Sequence, residues 1–273
     1  MGETADGAKV WLIGGTSESA ELASALAERH IPFVVTVTTA VASTLYPAET
    51  SVFVGKLTQA QMGDFVLTHT VSCVLDASHP FAQVVSTGAI ALAAQSGHIA
   101  YLRYERAPIS SEQGEPDNGE LVSSHPSLET LLNPSQLRGQ TILLTLGCHI
   151  LLNYAPQLAQ LRKTSKLFVR VLPSQAALSA ALSTGFSAKN ILALRPPISY
   201  SLEKALWQQW QISTVIAKAS GQAGGEAIKR QVAAELGVHL RLLQRPPIKY
   251  PHQTHCLAEA IRFCEAHVSS LNC

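Results

Sequence analysis

The chain has 273 residues, 47% of them apolar and 14% charged, enough to bury a large core and, at roughly 150 residues per domain, to fill about two domains. A formal net charge of +1 supplies no general field for nucleic acid, and no apolar stretch approaches the roughly 18 residues that a membrane span needs. Five scattered cysteines, odd in number, go with a reducing compartment, so a cytoplasmic protein is the expectation.

After a short polar leader that reads as a frayed terminus, "KVWLIGG" is the first strand, followed by a helix from about Ser17 to Arg29. "FVVTVTT", "SVFVG" and "SCVLDAS" are the next strands, "FAQVVSTGAIALAAQ" has helical spacing, and "AYLRYE" is strand again. From Arg106 to Arg138 the composition shifts to Pro, Ser, Gly and acids, which predicts a linker or surface excursion. The rhythm then restarts with "TILLTLG", "KLFVRVLP", "NILALRPP", "STVIAKASG" and "VHLRLLQRPP". Strands alternating with helices predict an α/β fold of two parallel-sheet units in series: 9–106, a linker over 107–138, and 139–268.

Open parallel sheets bind ligands beyond the carboxyl ends of their strands, so the residues after each strand are the informative ones. In "GGTSES", Gly14 and Gly15 allow close backbone approach. Thr16, Ser17 and Glu18 open a helix whose free amides suit a nucleotide phosphate. The pattern is not GxGxxG, since Ser17 and Ser19 stand where later glycines would, and a tight turn with Ser17 as N-cap is the alternative. The second strand ends in Thr36, Thr38 and Thr39 without a carboxylate; an acid there would repel a 2′-phosphate, so NADPH is favoured over NADH. Threonine is also simply a good strand residue.

"DASHPF" places Asp76 and His79 at the fourth exit, and "YLRYERAP" offers Arg103 and Arg106, a pair suited to carboxylates or phosphates unless Glu105 takes one of them. In "KASGQAGGE", Lys218, Ser220 and Gly221 belong to a donor-rich turn that reads either as a second anion-holding loop or as a solvated connection. "YSLEK" matches the Tyr-x-x-x-Lys of short-chain dehydrogenases through Tyr200 and Lys204, but Pro196 and Pro197 precede it and chance explains it better. The tail mixes His252, His255, Cys256, Cys264 and His267 without a tight ligand pair, so no metal site is expected.

The order of "GGTSE", "DASHPFA", "YLRYERAP", "TLG", "VLP", "LRPPIS" and "KASGQAGGE" resembles the precorrin-6A reductase family of corrin-ring biosynthesis, including its cobalt-precorrin-6A counterpart, from Val10 to about Pro247. The resemblance implies a cytoplasmic enzyme with two Rossmann-like subdomains enclosing a cleft, which transfers hydride from NADPH to one carbon–carbon double bond of the macrocycle. For such a carboxylate-rich macrocycle, Arg103, Arg106, Arg170, Arg195 and Lys218 are the expected carboxylate partners, and Asp76, His79 and Lys218 the candidate acids or orienting groups. Lys218 is expected to act as an electrostatic anchor, because an unburied lysine is a poor acid near neutral pH. The chain departs from the family at Ser78, where Thr is common, at "RPPIS", where Gly-Pro-Phe begins, and at Ala217, which stands before Lys218 in place of Thr. A dehydrogenase of small ketones using Tyr200 and Lys204, or a non-catalytic NADPH-binding regulator, are the alternative functions. The expected partner is a tetrapyrrole, with no nucleic acid and no membrane. Oligomeric state is left open, a monomer included.

Overall fold

A computed structural model describes residues 7–105, 121–221 and 224–269. In chain order the elements are β1 (Lys9–Ile13), α1 (Ser17–Glu28), β2 (Phe33–Val37), α2 (Ala40–Ser43), β3 (Val52–Val54), α3 (Gln59–Thr68), β4 (Val71–Asp76), α4 (Gln83–Ser96) and β5 (Ala100–Tyr104). There follow β6 (Val122–His125), α5 (Leu128–Leu131), α6 (Pro134–Leu137), β7 (Thr141–Thr145), α7 (Cys148–Asn153), α8 (Ala155–Leu161), β8 (Lys166–Val171), α9 (Gln175–Ser183) and β9 (Ile191–Ala193). The last are α10 (Tyr200–Gln209), β10 (Thr214–Lys218), α11 (Glu226–Leu236), β11 (His239–Leu243), β12 (Gln253–Thr254) and α12 (Leu257–Ser269). Every strand predicted from sequence is present. The chain divides into two compact units, Met1–Ala107 with Pro246–Cys273, and Pro108–Arg245.

The first unit holds a parallel sheet in the order β12-β5-β4-β1-β2-β3. Its central strands are buried on both sides, which is why "KVWLI" and "VSCVLD" read as continuous apolar runs. Alternate residues divide between two cores. Val10 and Leu12 meet Leu22 and Leu26 of α1 with Ile261 and Cys264 of α12, while Trp11 and Ile13 meet Met62 and Phe65 of α3. The chain runs outward from β1 through β2 to β3, then returns to build β4 and β5 on the other side. The sheet therefore reverses direction of growth between β1 and β4, the position where such sheets receive ligands.

The second unit repeats the plan in the order β6-β11-β10-β7-β8-β9, with its reversal between β7 and β10. Two expectations are corrected here. The segment taken as linker is folded from residue 121 on: β6 pairs with β11, and Leu128, Leu131, Leu132 and Leu137 are buried. The final helix, expected in the second unit, belongs to the first. There Ala260, Ile261, Cys264 and Val268 form a stripe that covers a sheet face otherwise left open to water.

Candidate functional site

The exit of β4 is built on a buried ion pair. Asp76 and Arg103 are 0% and 1% exposed, and Arg103 Nη1 donates to Asp76 Oδ1 at 2.9 Å. Two buried charges persist only where their remaining hydrogen-bonding capacity is met. Asp76 also accepts from the Ser78 amide (3.0 Å) and from the Tyr101 hydroxyl (2.7 Å), while Arg103 donates to Ser78 O (2.9 Å) and Ser78 Oγ (3.1 Å) and lies over the Tyr250 ring. Burial, then the neighbouring carboxylate, pushes the Tyr101 phenol far up. For Arg103 burial works downward, but Asp76, Tyr250 and Glu105 outweigh it and raise the guanidinium. This corrects two sequence expectations. Asp76 is no free acid and Arg103 no free ring ligand; together they brace the loop from inside. Arg106 lies outside the described residues.

Above this brace His79 is exposed, and its Nδ1 accepts the Phe81 amide at 3.2 Å, which leaves the proton of the neutral ring on Nε2. Pro80 is buried in the turn ahead of α4. Thr16, Glu18, Ala77, Ser78, Pro80, Arg103, Tyr104 and Glu105 line a small pocket at this edge of the sheet.

At the exit of β1 the N-cap is Thr16 rather than Ser17, in a capping box with Ser19. Thr16 Oγ1 donates to Ala77 O at 2.9 Å and so ties the β1 exit to the β4 exit across the reversal point. The glycines have an internal reason as well. Tyr46 is buried with its hydroxyl accepting the Gly15 amide (2.8 Å) and 2.6 Å from Ser19 Oγ, and a Cβ on Gly14 would stand 2.2 Å from that hydroxyl. Gly15 has φ +97°, a left-handed conformation. What faces outward is Gly15, Ser17 with its first-turn amide, and the exposed pair Thr38 and Thr39 after β2, where Thr39 caps α2. Glu18 accepts from Ser17 Oγ.

In the second unit Lys218 closes β10, with Nζ 4.0 Å from where a Cβ on Gly147 would lie, beside Cys148. Burial lowers the lysine below its ordinary range, partly offset by Cys148; the expectation of an unburied lysine is thereby corrected. Ser220 is buried and leaves Gly224 no room for a side chain, and the Gly221 amide donates to Glu226, so both residues close the loop rather than present donors. Arg170 is likewise taken up: it pairs with Glu203, which is 1% exposed and also accepts from Trp207 Nε1. Arg195 is exposed after β9. Lys204 pairs with Glu235 on the surface, an ordinary interhelical contact.

Sequence reasoning missed Tyr46, Tyr101, Glu203 and Glu226, each of which holds a loop from a distance. A signal existed for Glu203 and Glu226 only in their placement among apolar helix positions. Among the described residues no group of three or more His, Cys, Asp or Glu could hold a metal ion, and no helix is long and apolar enough to cross a membrane.

The family model of precorrin-6x reductase CbiJ/CobK matches residues 9–265. The cobalt-precorrin-6A reductase of Synechocystis sp. is 40% identical over 268 residues, covering 96% of this chain and 98% of that protein. That of Priestia megaterium is 33% identical, covering 88% and 92%. The precorrin-6A reductase of Rhodobacter capsulatus is 29% identical, covering 88% and 89%. Among solved structures, CobK precorrin-6A reductase superposes with a TM-score of 0.76 at 23% identity over 95% of this chain and 97% of that one, a likeness of fold. With the family matched over nearly its whole length, and a relative 40% identical from end to end, the chain belongs to the precorrin-6x reductase CbiJ/CobK family.

Proposed function

We propose that this protein reduces one carbon–carbon double bond of the precorrin-6A macrocycle, with NADPH as hydride donor. The observation that carries the reading is the doubly wound first unit, whose reversal point is flanked by the "GGTSES" and "DASHPFA" exits, in a chain of this family. Cobalt-precorrin-6A is the first substrate to test, since the two relatives above 30% identity both bear that name.

The donor set fits the cofactor. Gly15, Thr16 and Ser17 offer backbone approach and an open helix start, and Thr38 and Thr39 are exposed hydroxyls without the carboxylate that would repel a 2′-phosphate. Glu18 favours a hydroxyl partner over a phosphate, as in a ribose. When bound, NADPH supplies the hydride; the chain must orient the macrocycle, keep water away and deliver a proton to the neighbouring carbon. Lys218, lowered by burial, and His79, carrying its proton on Nε2, are the two candidates for that proton. Exposed Arg195 suits a ring carboxylate through paired bonds. The free state of the described cysteines goes with a cytoplasmic setting.

The test is anaerobic incubation with cobalt-precorrin-6A, then precorrin-6A, following loss of the reduced nicotinamide absorbance. NADPH is expected to bind at least tenfold more tightly than NADH, about 1.4 kcal/mol. Equal affinities remove the argument from Thr38 and Thr39, and no turnover of either macrocycle removes the proposal.

A further inference from the structure

The two glycines after β1 face opposite ways. A Cβ on Gly14 would stand 2.2 Å from the Tyr46 hydroxyl and 3.0 Å from the Val35 side chain, inside the core. Gly15 is exposed, and a Cβ there would meet nothing nearer than Ala42 Cβ at 3.9 Å, so the space over this residue is open. Its φ of +97° is one that a side chain rarely adopts, and the open part of the turn stays bare backbone.

Beneath that open space the hydrogen bonds run inward and close on themselves. The Gly14 amide donates to Thr36 O at 2.9 Å, the Gly15 amide to Tyr46 Oη at 2.8 Å and the Thr16 amide to Ser19 Oγ at 3.0 Å. Ser19 Oγ gives its own proton to Thr16 O at 2.7 Å, so in its 2.6 Å contact with Tyr46 it accepts. Tyr46 therefore accepts from Gly15 and donates to Ser19. Burial raises its phenol above the ordinary value, which keeps that proton in place. Ser19 stands where a later glycine of a GxGxxG turn would, so the departure from that fingerprint and the buried tyrosine have one explanation. The Ser17 amide, in the first turn of a twelve-residue helix, remains outward beside the bare backbone of Gly15.

We propose that Tyr46 is a positioning residue for the cofactor: its hydroxyl fixes the turn over 14–17 in the form that seats the pyrophosphate of a dinucleotide on Gly15 and the Ser17 amide. The inference rests on the NADPH reading given above. A turn held from below before the ligand arrives is not ordered at the expense of binding, which is where the affinity comes from.

Tyr46→Phe keeps the ring and removes the hydroxyl. NADPH and NADH titrations followed by the fluorescence of the reduced nicotinamide, with thermal unfolding of the same samples, test the proposal. Both dissociation constants are expected to rise by a common factor of roughly five or more, since the turn meets the pyrophosphate that the two cofactors share. Ser19→Ala, which leaves the tyrosine without its acceptor, is expected to weaken both in the same way, and it gives the answer should Tyr46→Phe not fold. Val268→Ala removes packing from the same unit at the opposite end of β1, beside Gly7 and Ala8, and is expected to lower the unfolding temperature with both constants kept. Unchanged affinities in Tyr46→Phe and Ser19→Ala overturn the proposal. So does an equal loss of affinity in Val268→Ala, which makes the effect one of stability alone, and so does a loss confined to NADPH, which moves the effect to the 2′-phosphate. Should the wild type bind neither cofactor, the NADPH reading itself fails and takes this inference with it.

Discussion

A carboxylate with no exposed surface and a guanidinium at 1% exposure stabilise each other only as a pair. Removing one leaves the other buried and unpaired, so Arg103→Met is expected to lower unfolding free energy by about 3–5 kcal/mol. Urea unfolding measures this, and a loss under about 1 kcal/mol would return Arg103 to the role of a ring ligand. Lys229 of α11, lowered by burial and then by Arg170, gives the opposite outcome with pH. Its folded value of about 8 lies below the ordinary 10.5, with Arg170 on β8, Glu203 on α10 and Glu226 on its own helix as the charges around it. Between those values the unfolded chain still holds a proton that the native state has released, so rising pH favours the native state. Relative to Lys229→Met, the wild type is expected to gain on the order of 3 kcal/mol from pH 8 to 10.5. Parallel stability curves for the two proteins would show that the lysine is not depressed. The types of residue at the site were legible from strand exits, but their duties were not. Arg103 and Arg195 look alike in sequence, and only burial makes one a brace and leaves the other exposed.

Between β1 and α1 the glycine turn illustrates how an element serves packing and ligand at once. The Gly14 site is filled by the Tyr46 hydroxyl, which arrives from just beyond α2. Gly14→Ala is expected to destabilise by displacing that ring, and Tyr46→Phe to clear the way for the new methyl group. In a double-mutant cycle the combined cost should fall short of the sum by about 0.5–3 kcal/mol, the range for residues in contact. Strict additivity would mean that the turn relaxes without involving Tyr46. The elements with long apolar runs were legible because both faces of a central parallel strand are buried. The two strands that were not, β6 and β12, are short edge strands of four and two residues, paired on one side only. Their sequences, "VSSH" and "QT", carry no apolar alternation, so pairing partners far along the chain decide them.

Both sheets share a five-strand order, β5-β4-β1-β2-β3 in the first unit and β11-β10-β7-β8-β9 in the second, and they differ in whether the sixth, edge strand comes from after or before those five in the chain. The second unit is contiguous, Pro108–Arg245, and its six strands all lie within that range. The first unit needs Pro246–Cys273 for its sixth strand and for α12. A fragment spanning 108–245 is therefore expected to unfold cooperatively on heating, while 1–107 alone should not. Joining 246–273 to 1–107 through a flexible linker should restore a cooperative transition. A sharp transition for 1–107 by itself would contradict the role given to α12. Strand composition made two α/β units legible, but not that the chain finishes the first unit last, because a closing helix carries no mark of which sheet it covers.

That late closure has a consequence during translation. The ribosome makes β1 to β5 early, then needs roughly ten to thirty seconds at common elongation rates to reach the segment that completes them. Over that interval Val10, Leu12, Leu75 and Leu102 lack the cover that Ile261 and Cys264 will provide. The nascent chain thus carries an unfinished apolar surface while its later half folds first, and a chaperone that shields such surfaces would have its longest engagement with the N-terminal half.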